Sequence, residues 1–456
     1  MCCEFLFSTL SQINRFKIDS SLIVTRGYYY LKSNGRSKME RLVGKGQNKI
    51  IILALLFLGW MVSYLDRVSI NIAMVQIGEE FQLGPEAYGT VLSIFFAGYA
   101  LMQIPGGWLA DKFGSRKVLI WSVVLWSLFT ILTGFAWSML SLIVIRFLFG
   151  LGEGGYPAAS QKTVAEVFPK EQRARASSSI MSSNYFGGAL APILATPLIV
   201  AHGWRNMFFI TGVLGIVVAV LFWLFIRPRS EVKELKEAKV EKVQISKNKV
   251  IPVRDLLKMQ VVWKLIVIWF GIGIVNWGLA SWMPTYLVTV RNIDLMSSGM
   301  LLALPAIVGG FATIMGGWIL DKITGREKFF LVASSVLTAV FLYFMFKAPT
   351  VSLVITFSIL ISVVKSFVLA TVFALPHKLL PTEVIGTAIG TINFGGQIAG
   401  FVAPLAIGFL IGAFNGSYDA AFWFLIASTI FAGLVGLTLN TNNHSKQYPD
   451  RNATVQ

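Results

Sequence analysis

The chain has 456 residues, of which 55% are hydrophobic and 13% are charged, with a formal net charge of +17. Soluble domains carry about 25% charged residues, so this composition excludes an ordinary soluble protein and indicates an integral membrane protein. Repeated apolar runs of about 20 residues predict spanning helices and exclude a β-barrel, whose strands are short and alternate in polarity. The cations lie mainly in the termini and in alternate loops, a pattern typical of membrane topology rather than of nucleic-acid binding.

Residues 1–48 precede the first apolar span and differ from it, because they are polar and basic. They lack the short apolar core and the small-residue cleavage site of a signal peptide. We therefore expect a disordered cytoplasmic extension without a folded role; the alternative for residues 1–38 is a misassigned start, because Met39 lies just before the first span. The adjacent Cys2 and Cys3 cannot supply a disulfide framework or a zinc site, so no metal is expected.

Twelve apolar spans follow this extension. They run roughly over residues 50–73, 87–110, 118–136, 139–162, 177–200, 206–226, 261–290, 298–320, 328–347, 351–376, 384–412 and 418–439. A stretch rich in Lys and Arg separates the sixth span from the seventh. We predict an all-α membrane protein with twelve transmembrane helices in two six-helix bundles. The bundles comprise residues 49–226 and 261–440, with a cytoplasmic linker at 227–260 and a cytoplasmic tail at 441–456.

The orientation in the membrane follows from the loops. Arg205, Arg291 and Lys347 are the few cations on the face opposite the linker. Because cytoplasmic loops carry the excess of Lys and Arg, both termini are predicted to be cytoplasmic.

The two halves of the chain share short sequences. The segment Gly106–Lys112 reads GGWLADK, and Gly316–Lys322 reads GGWILDK. A Phe-Gly-Gly triplet at Phe186 likewise recurs at Phe394. Parallel repeats of this size are typical of a secondary transporter with its binding site between two bundles near mid-membrane.

Four charged residues lie inside the spans of the first half: Asp66, Arg67, Arg146 and Glu153. A charge in hydrocarbon costs roughly 2.5–3.5 kcal/mol, so a polar pathway is the usual reason for its presence. Arg146 and Glu153 are two helical turns apart and share a face. The rise of a helix places both arginines at similar depth and Glu153 roughly 10 Å deeper. The alternative is that the four residues form salt bridges that lock helices together. A pairing of Asp66 with Arg146 could serve gating and binding together.

Lys365 lies in the middle of the tenth span, beside serines that recur every four residues at 358, 362 and 366. We expect Lys365 to face a cavity. The alternative is a lysine that snorkels to the membrane surface along its stem. A third cation would suit a substrate with two acidic groups, or a sulfonate or phosphonate.

Other polar residues in the spans are candidates for binding substrate hydroxyl groups. They are Tyr64, Tyr99, Gln103, Asn184, Asn276, Asn393 and Gln397. Each residue could instead form a hydrogen bond between helices.

Two sets of motifs resemble a known family. The segment from Gly107 to Lys117 resembles the signature loop of the major facilitator superfamily. The sequence SYLDR at Ser63–Arg67, Tyr99 followed by QIPGG, and the Arg146/Glu153 spacing resemble the anion:cation symporter family. That family includes bacterial galactonate, glucarate and hexuronate transporters and animal sialin-type carriers. The resemblance covers about residues 45–440.

The resemblance implies uptake of an organic anion with protons, by alternating access, on a major facilitator fold. It implies that Asp66 and Glu153 are the protonation sites and that Arg67 and Arg146 hold carboxylates. Lys365 departs from the galactonate-transporter pattern. An inner gate is implied for four residues at helix ends, namely Asp111, Arg116, Asp321 and Arg326.

These observations predict a proton-coupled symporter of a sugar acid: an aldonate, an aldarate or a hexuronate. Its partners would be the anion, the proton and the lipid bilayer, with no other cofactor. A monomer in a bacterial plasma membrane is expected. The alternatives are an antiporter or uniporter of phosphorylated or sulfonated metabolites, and a membrane sensor on a transporter fold. The absence of a P-loop and of any catalytic signature argues against an enzyme.

Overall fold

The computed structural model describes residues 49–226, 259–323, 325–380 and 385–439, and every regular element within those ranges is an α-helix. Most of the predicted linker, the predicted extension at 1–48 and the tail from residue 440 lie outside the described residues. The helices are α1 (Lys49–Glu80), α2 (Pro85–Phe113), α3 (Ser115–Gly134), α4 (Met139–Gly154), α5 (Tyr156–Val167), α6 (Lys170–Phe225), α7 (Gln260–Thr289), α8 (Leu295–Lys322), α9 (Glu327–Lys347), α10 (Val351–Leu379), α11 (Ile385–Ala413) and α12 (Asp419–Leu437).

Eleven helical segments among the described residues are long and apolar enough to cross a membrane. One of them, Arg175–Phe225, has 51 residues. At 1.5 Å per residue it would be about 77 Å long, more than twice the roughly 30 Å of a hydrocarbon core. Gly203 interrupts it with a φ of 79°, a backbone conformation that glycine adopts at little cost. This helix therefore supplies two spans, and the predicted total of twelve is confirmed.

The helices that join the two halves of the chain are related by the internal repeat. Helix α2 packs against α11, and the first part of α6 packs against α8. Both contacts are closest at the predicted outer end. A Cβ added at Gly89 of α2 would lie 2.5 Å from the carbonyl oxygen of Pro404, and one added at Gly299 of α8 would meet Thr196. Glycine permits this approach because it has no side chain, as at other small-residue helix contacts in membranes.

Two lysines show the same repeat at the predicted inner end. Lys162 donates to the carbonyl oxygen of Ala110 at 2.8 Å, close to the end of α2. Lys378 donates to the carbonyl oxygen of Leu320 at 3.0 Å, close to the end of α8. Ala110 and Leu320 occupy matching positions in the repeated segment. Each lysine thus adds a donor to a carbonyl group in the last turn of a helix, and the Ala110 carbonyl also accepts from the Gly114 N–H at 3.0 Å.

Candidate functional site

An ion pair between α1 and α4 lies at the centre of the first bundle. Arg67 Nη2 and Glu153 Oε1 are 2.5 Å apart, and the two side chains are 5% and 1% exposed. The Ser63 hydroxyl donates to the same carboxylate oxygen at 2.6 Å. Ser63 and Arg67 are four residues apart, so they share one face of α1. Glu153 is therefore held by two donors of α1, one of them cationic.

Aromatic rings surround both arginines. The Arg67 guanidinium carbon lies 4.8 Å from the ring centre of Phe95 and 4.7 Å from that of Tyr99. The Arg146 guanidinium carbon lies 5.4 Å from the same Phe95 ring and 4.5 Å from Phe149. A cation within about 6 Å of a ring face is attracted by the ring quadrupole. Since both guanidinium carbons lie close to Phe95, they are at most about 10 Å apart.

The expected separation of Glu153 from the arginines is wrong for Arg67. The rise of the helices placed the Glu153 backbone one level deeper, but the long side chain of Arg67 spans that difference and contacts the carboxylate. The Glu153 carboxylate and the Arg67 guanidinium are therefore in direct contact, and they do not form an anion site and a proton site at two different depths.

The suggested pairing of Asp66 with Arg146 is also not formed. Asp66 is buried, and its Oδ2 accepts from the Thr130 hydroxyl of α3 at 3.3 Å, while Oδ1 has no partner. Successive residues of a helix point about 100° apart, so Asp66 turns toward α3 when Arg67 turns toward α4. No ion pair joins Asp66 to a cation among the described residues.

Lys365 bonds to a neutral partner in the second bundle. Its Nζ donates to Oδ1 of Asn276 on α7 at 2.8 Å, and both residues are half-buried. Of the neighbouring serines, Ser366 donates to the carbonyl oxygen of Gly309 at 3.0 Å. No carboxylate lies within 4 Å of the Lys365 ammonium among the described residues. The Lys365 head therefore lies between α7 and α10 and does not extend toward a membrane surface.

Several buried polar atoms of the two bundles have no hydrogen-bond partner. Buried polar groups are normally bonded, so these atoms retain unused hydrogen-bonding capacity. They include Nε of Arg67 and Arg146, Oε2 of Glu153, Oδ1 of Asn184, Nε1 of Trp277 and Oε1 of Gln397.

The remaining predicted polar residues have varied surroundings. The Tyr64 ring is half-buried, and its centre lies 6.4 Å from that of Trp277 in the other bundle. Tyr99 is buried against Arg67, whereas Gln103 and Asn393 are half-buried.

Sequence reasoning missed three contributors to this region. Ser63 lies within the SYLDR motif, and its spacing from Arg67 would have indicated a shared face. Phe95 carries no charge, so nothing distinguished it from a packing residue. The Tyr185 hydroxyl, 2.8 Å from that of Thr313, is a polar contact between the two bundles.

The four predicted gate residues do not pair with one another in the described part of the chain. Asp111 is 2.6 Å from Lys162 of the same bundle. Arg116 donates to the Trp223 carbonyl oxygen at 2.7 Å, and Arg326 is exposed. The side chain of Asp321 lies outside the described residues. Two of the four are thus bonded within the first bundle in this conformation.

Comparison with known proteins identifies the family. The model of the Major Facilitator Superfamily matches residues 56–404 and 324–454. The chain belongs to this superfamily. Solved structures agree in fold. One is a bacterial homolog of the human lysosomal transporter Spinster in an inward-facing and unoccupied conformation. It superposes with a TM-score of 0.72 at 19% identity, covering 86% of this chain and 96% of that one. A D-xylose-proton symporter superposes with a TM-score of 0.67 at 15% identity, covering 86% of this chain and 98% of that one.

Curated relatives within the superfamily are transporters. The probable galactarate/D-glucarate transporter GarP of Escherichia coli (strain K12) is 31% identical over 417 residues, covering 84% of this chain and 93% of that protein. The probable sulfoacetate transporter SauU of Cupriavidus necator is 32% identical, covering 86% and 93%. The hexuronate transporter of Bacillus subtilis is 28% identical, covering 85% and 94%. The predicted family and fold are confirmed, and the protein is a multi-pass membrane transporter, not an enzyme.

Proposed function

We propose that the protein takes up a small organic anion together with protons by alternating access, and that the anion is a sugar acid. The observation that carries the proposal is the buried Arg67–Glu153 ion pair, whose second carboxylate oxygen has no partner. The names of the similar galactarate/D-glucarate and hexuronate transporters support a sugar acid.

The ion pair offers a direct means of coupling. A carboxylate of the substrate can bind the Arg67 guanidinium through two parallel hydrogen bonds and so compete with Glu153. A buried carboxylate that loses its cationic partner binds a proton more readily. The Ser63 hydroxyl, which donates to Glu153 here, can then accept from the protonated acid. Anion and proton would therefore bind cooperatively.

The membrane potential favours this coupling. Moving one negative charge inward against a potential of 100 mV, negative inside, costs about 2.3 kcal/mol, and a proton carried with it removes that cost. Asp66 is a second buried carboxylate without a cationic partner. We assign it a second proton-binding role, which would make uptake of an anion independent of, or driven by, the potential.

The packing of the bundles supports alternating access. The close contacts of α2 with α11 and of α6 with α8 lie at the predicted outer end. With cytoplasmic termini in a plasma membrane, this conformation would be closed to the outside. Substrate release would then occur toward the linker side, and the cycle would require these helix contacts to separate.

The test is uptake into liposomes that contain the purified protein. We expect D-glucarate, D-gluconate or D-galacturonate to accumulate when the external pH is lower than the internal pH. The variant Glu153→Gln should lose accumulation but retain exchange of labelled for unlabelled substrate, because exchange needs no net proton movement. Glu79→Gln is the matched control, since Glu79 is exposed at the end of α1. Accumulation that ignores the pH gradient, in both wild type and Glu153→Gln, would refute the proposal.

A second candidate follows from the similar sulfoacetate transporter. An antiporter or uniporter of sulfonated or phosphorylated metabolites would use the arginines for the anion and would need no proton site. It would exchange sulfoacetate or a sugar phosphate at equal rates with or without a pH gradient. Net uptake of any of these solutes would exclude a sensor without transport activity.

A further inference from the structure

Lys365 is a cation that the proposed coupling does not use. Its ammonium group lies in the middle of α10 and bonds to the neutral amide of Asn276. A charged residue inside a membrane span is costly and is normally paired or placed in an aqueous cavity. Since no carboxylate lies within 4 Å among the described residues, the positive charge of Lys365 lacks a protein anion.

The charges of the first bundle do not compensate Lys365. Arg67 is paired with Glu153, while Asp66 and Arg146 supply one negative and one positive charge. With all five groups ionised, the central region carries a net charge of +1. Protonation of either carboxylate raises this to +2. A solute with one negative charge leaves part of that charge uncompensated, whereas a dianion matches it.

Contacts across the bundle boundary relate Lys365 to Arg67. Asn276 precedes Trp277 on α7, and the ring centres of Trp277 and Tyr64 are 6.4 Å apart. The Tyr64 ring centre in turn lies 5.2 Å from the Arg67 guanidinium carbon. A short series of contacts therefore leads from one cation to the other. A solute between the bundles could present one acidic group to each.

The hydrogen-bonding capacity of Lys365 fits such a role. Its ammonium has three donors, and the amide oxygen of Asn276 accepts one of them. Two donors remain for the oxygens of a carboxylate or sulfonate. Asn276 fixes the direction of the ammonium and leaves its charge unneutralised. An aspartate at this position would neutralise it.

We propose that Lys365, oriented by Asn276, binds a second acidic group of the substrate, so that the transported solute is a dianion. Its acidic groups, two carboxylates or a carboxylate and a sulfonate, lie at opposite ends of a short carbon chain. This inference rests on the proposed function, in which Arg67 binds the first acidic group. The contrary reading is that Lys365 and Asn276 only hold α7 and α10 together.

The experiment compares two solutes with the same carbon skeleton. D-Glucarate has two carboxylates and D-gluconate has one, and their binding to the purified protein is measured by calorimetry. The wild type should bind glucarate at least about tenfold more tightly, because the second carboxylate gains charge-assisted hydrogen bonds to Lys365. Lys365→Gln should remove that difference, because it should weaken glucarate binding at least about tenfold more than gluconate binding.

Two further variants separate charge from structure. Lys365→Arg keeps the cation and should keep most of the preference for glucarate. Asn276→Asp places a resident carboxylate beside Lys365 and should lower the affinity for glucarate about tenfold more than that for gluconate. Lys264→Gln is the matched control, because Lys264 is a half-buried lysine near the start of α7 that bonds the Thr438 carbonyl oxygen.

The outcomes distinguish the two proposals. If the wild type binds neither acid, the proposed function itself fails. If the wild type binds glucarate and Lys365→Gln binds it equally well, only the second-group site is refuted. A Lys365→Gln protein that loses glucarate and gluconate to the same extent also refutes the site, because the effect would not depend on the second acidic group.

Discussion

Lys162 and Lys378 make equivalent contacts in the two bundles, yet their acidic partners differ in position and burial. Lys162 pairs with Asp111, whose side chain is 78% exposed. Lys378 pairs with Glu327, whose side chain is 5% exposed. The carbonyl contact follows the internal repeat, whereas the carboxylate partner comes from the end of α2 in one bundle and the start of α9 in the other.

This difference predicts unequal effects on stability. Lys378→Gln leaves the Glu327 carboxylate buried without its cation, so we expect the free energy of unfolding to fall by about 1–3 kcal/mol. Lys162→Gln breaks an ion pair with an exposed carboxylate, and such pairs contribute about 0–1 kcal/mol. Thermal unfolding in detergent should show a clearly lower melting temperature for Lys378→Gln than for Lys162→Gln. Equal losses would contradict the burial difference.

Arg67 should not tolerate replacement by lysine. A guanidinium can bond Glu153 or a substrate carboxylate with two parallel donors while stacking on flat rings, and an ammonium cannot. We expect Arg67→Lys to reduce uptake at least about tenfold, measured as initial rates in liposomes. Arg291→Lys is the control, since Arg291 bonds Tyr286 and the Ala348 carbonyl oxygen near the opposite bundle's outer loops. Uptake by Arg67→Lys at the wild-type rate would show that a point charge suffices.

We predict that the Asp66 carboxylate is needed for proton coupling and that its burial lowers the stability of the folded protein. It is buried with one bond from Thr130 and no cation, so an asparagine of the same shape removes an uncompensated charge and can still accept that bond. We expect Asp66→Asn to melt no lower than the wild type but to accumulate substrate more weakly under a pH gradient. Thr130→Val should lower the melting temperature, because it removes a donor to the carboxylate. A large loss of stability in Asp66→Asn would instead indicate a structural role.

The contact of α2 with α11 can be tested at a single glycine. A Cβ at Gly89 would clash with the Pro404 carbonyl oxygen, whereas a Cβ at Gly107 of the same helix would lie 3.8 Å from Ala158 Cβ, an ordinary contact. Both replacements by alanine gain the same helix propensity. Gly89→Ala should therefore open the predicted outer end, and Gly107→Ala should not.

Two spin labels can report that opening. They are attached to a protein that carries Glu79→Cys and Asp419→Cys and in which Cys2 and Cys3 are replaced by serine. Pulsed electron resonance should show a longer distance between the labels in Gly89→Ala only. An unchanged distance in Gly89→Ala would mean that the helices shift locally and that the contact does not control the conformation.

The sequence was sufficient for the spans because each one is apolar over its whole length. For the same reason, the sequence could not predict which charged side chains pair inside the site. An amphipathic helix shows which side faces the core, but a helix that is apolar all round does not reveal its rotation. The depth of Arg67 and Arg146 could therefore be estimated, and both guanidinium groups contact Phe95. The partners of Asp66 and Glu153 depended on rotation and on side-chain reach, so only the structure could assign them.

The break in α6 was predictable in part. The two apolar runs around Gly203 indicated separate spans, but nothing in the sequence showed that helical structure would continue almost to the break on both sides. Lys162 and Lys378 were likewise not recognised as counterparts, because their spacing from the repeated segments differs between the halves.

The bundles meet without an ion pair between them among the described residues. At the predicted outer end the bundles are in contact through close helix packing, where the attraction is mainly dispersion. Dissolved salt screens charges, so it should affect this contact little. The balance between the open and closed forms should therefore be nearly the same in dilute and in concentrated salt.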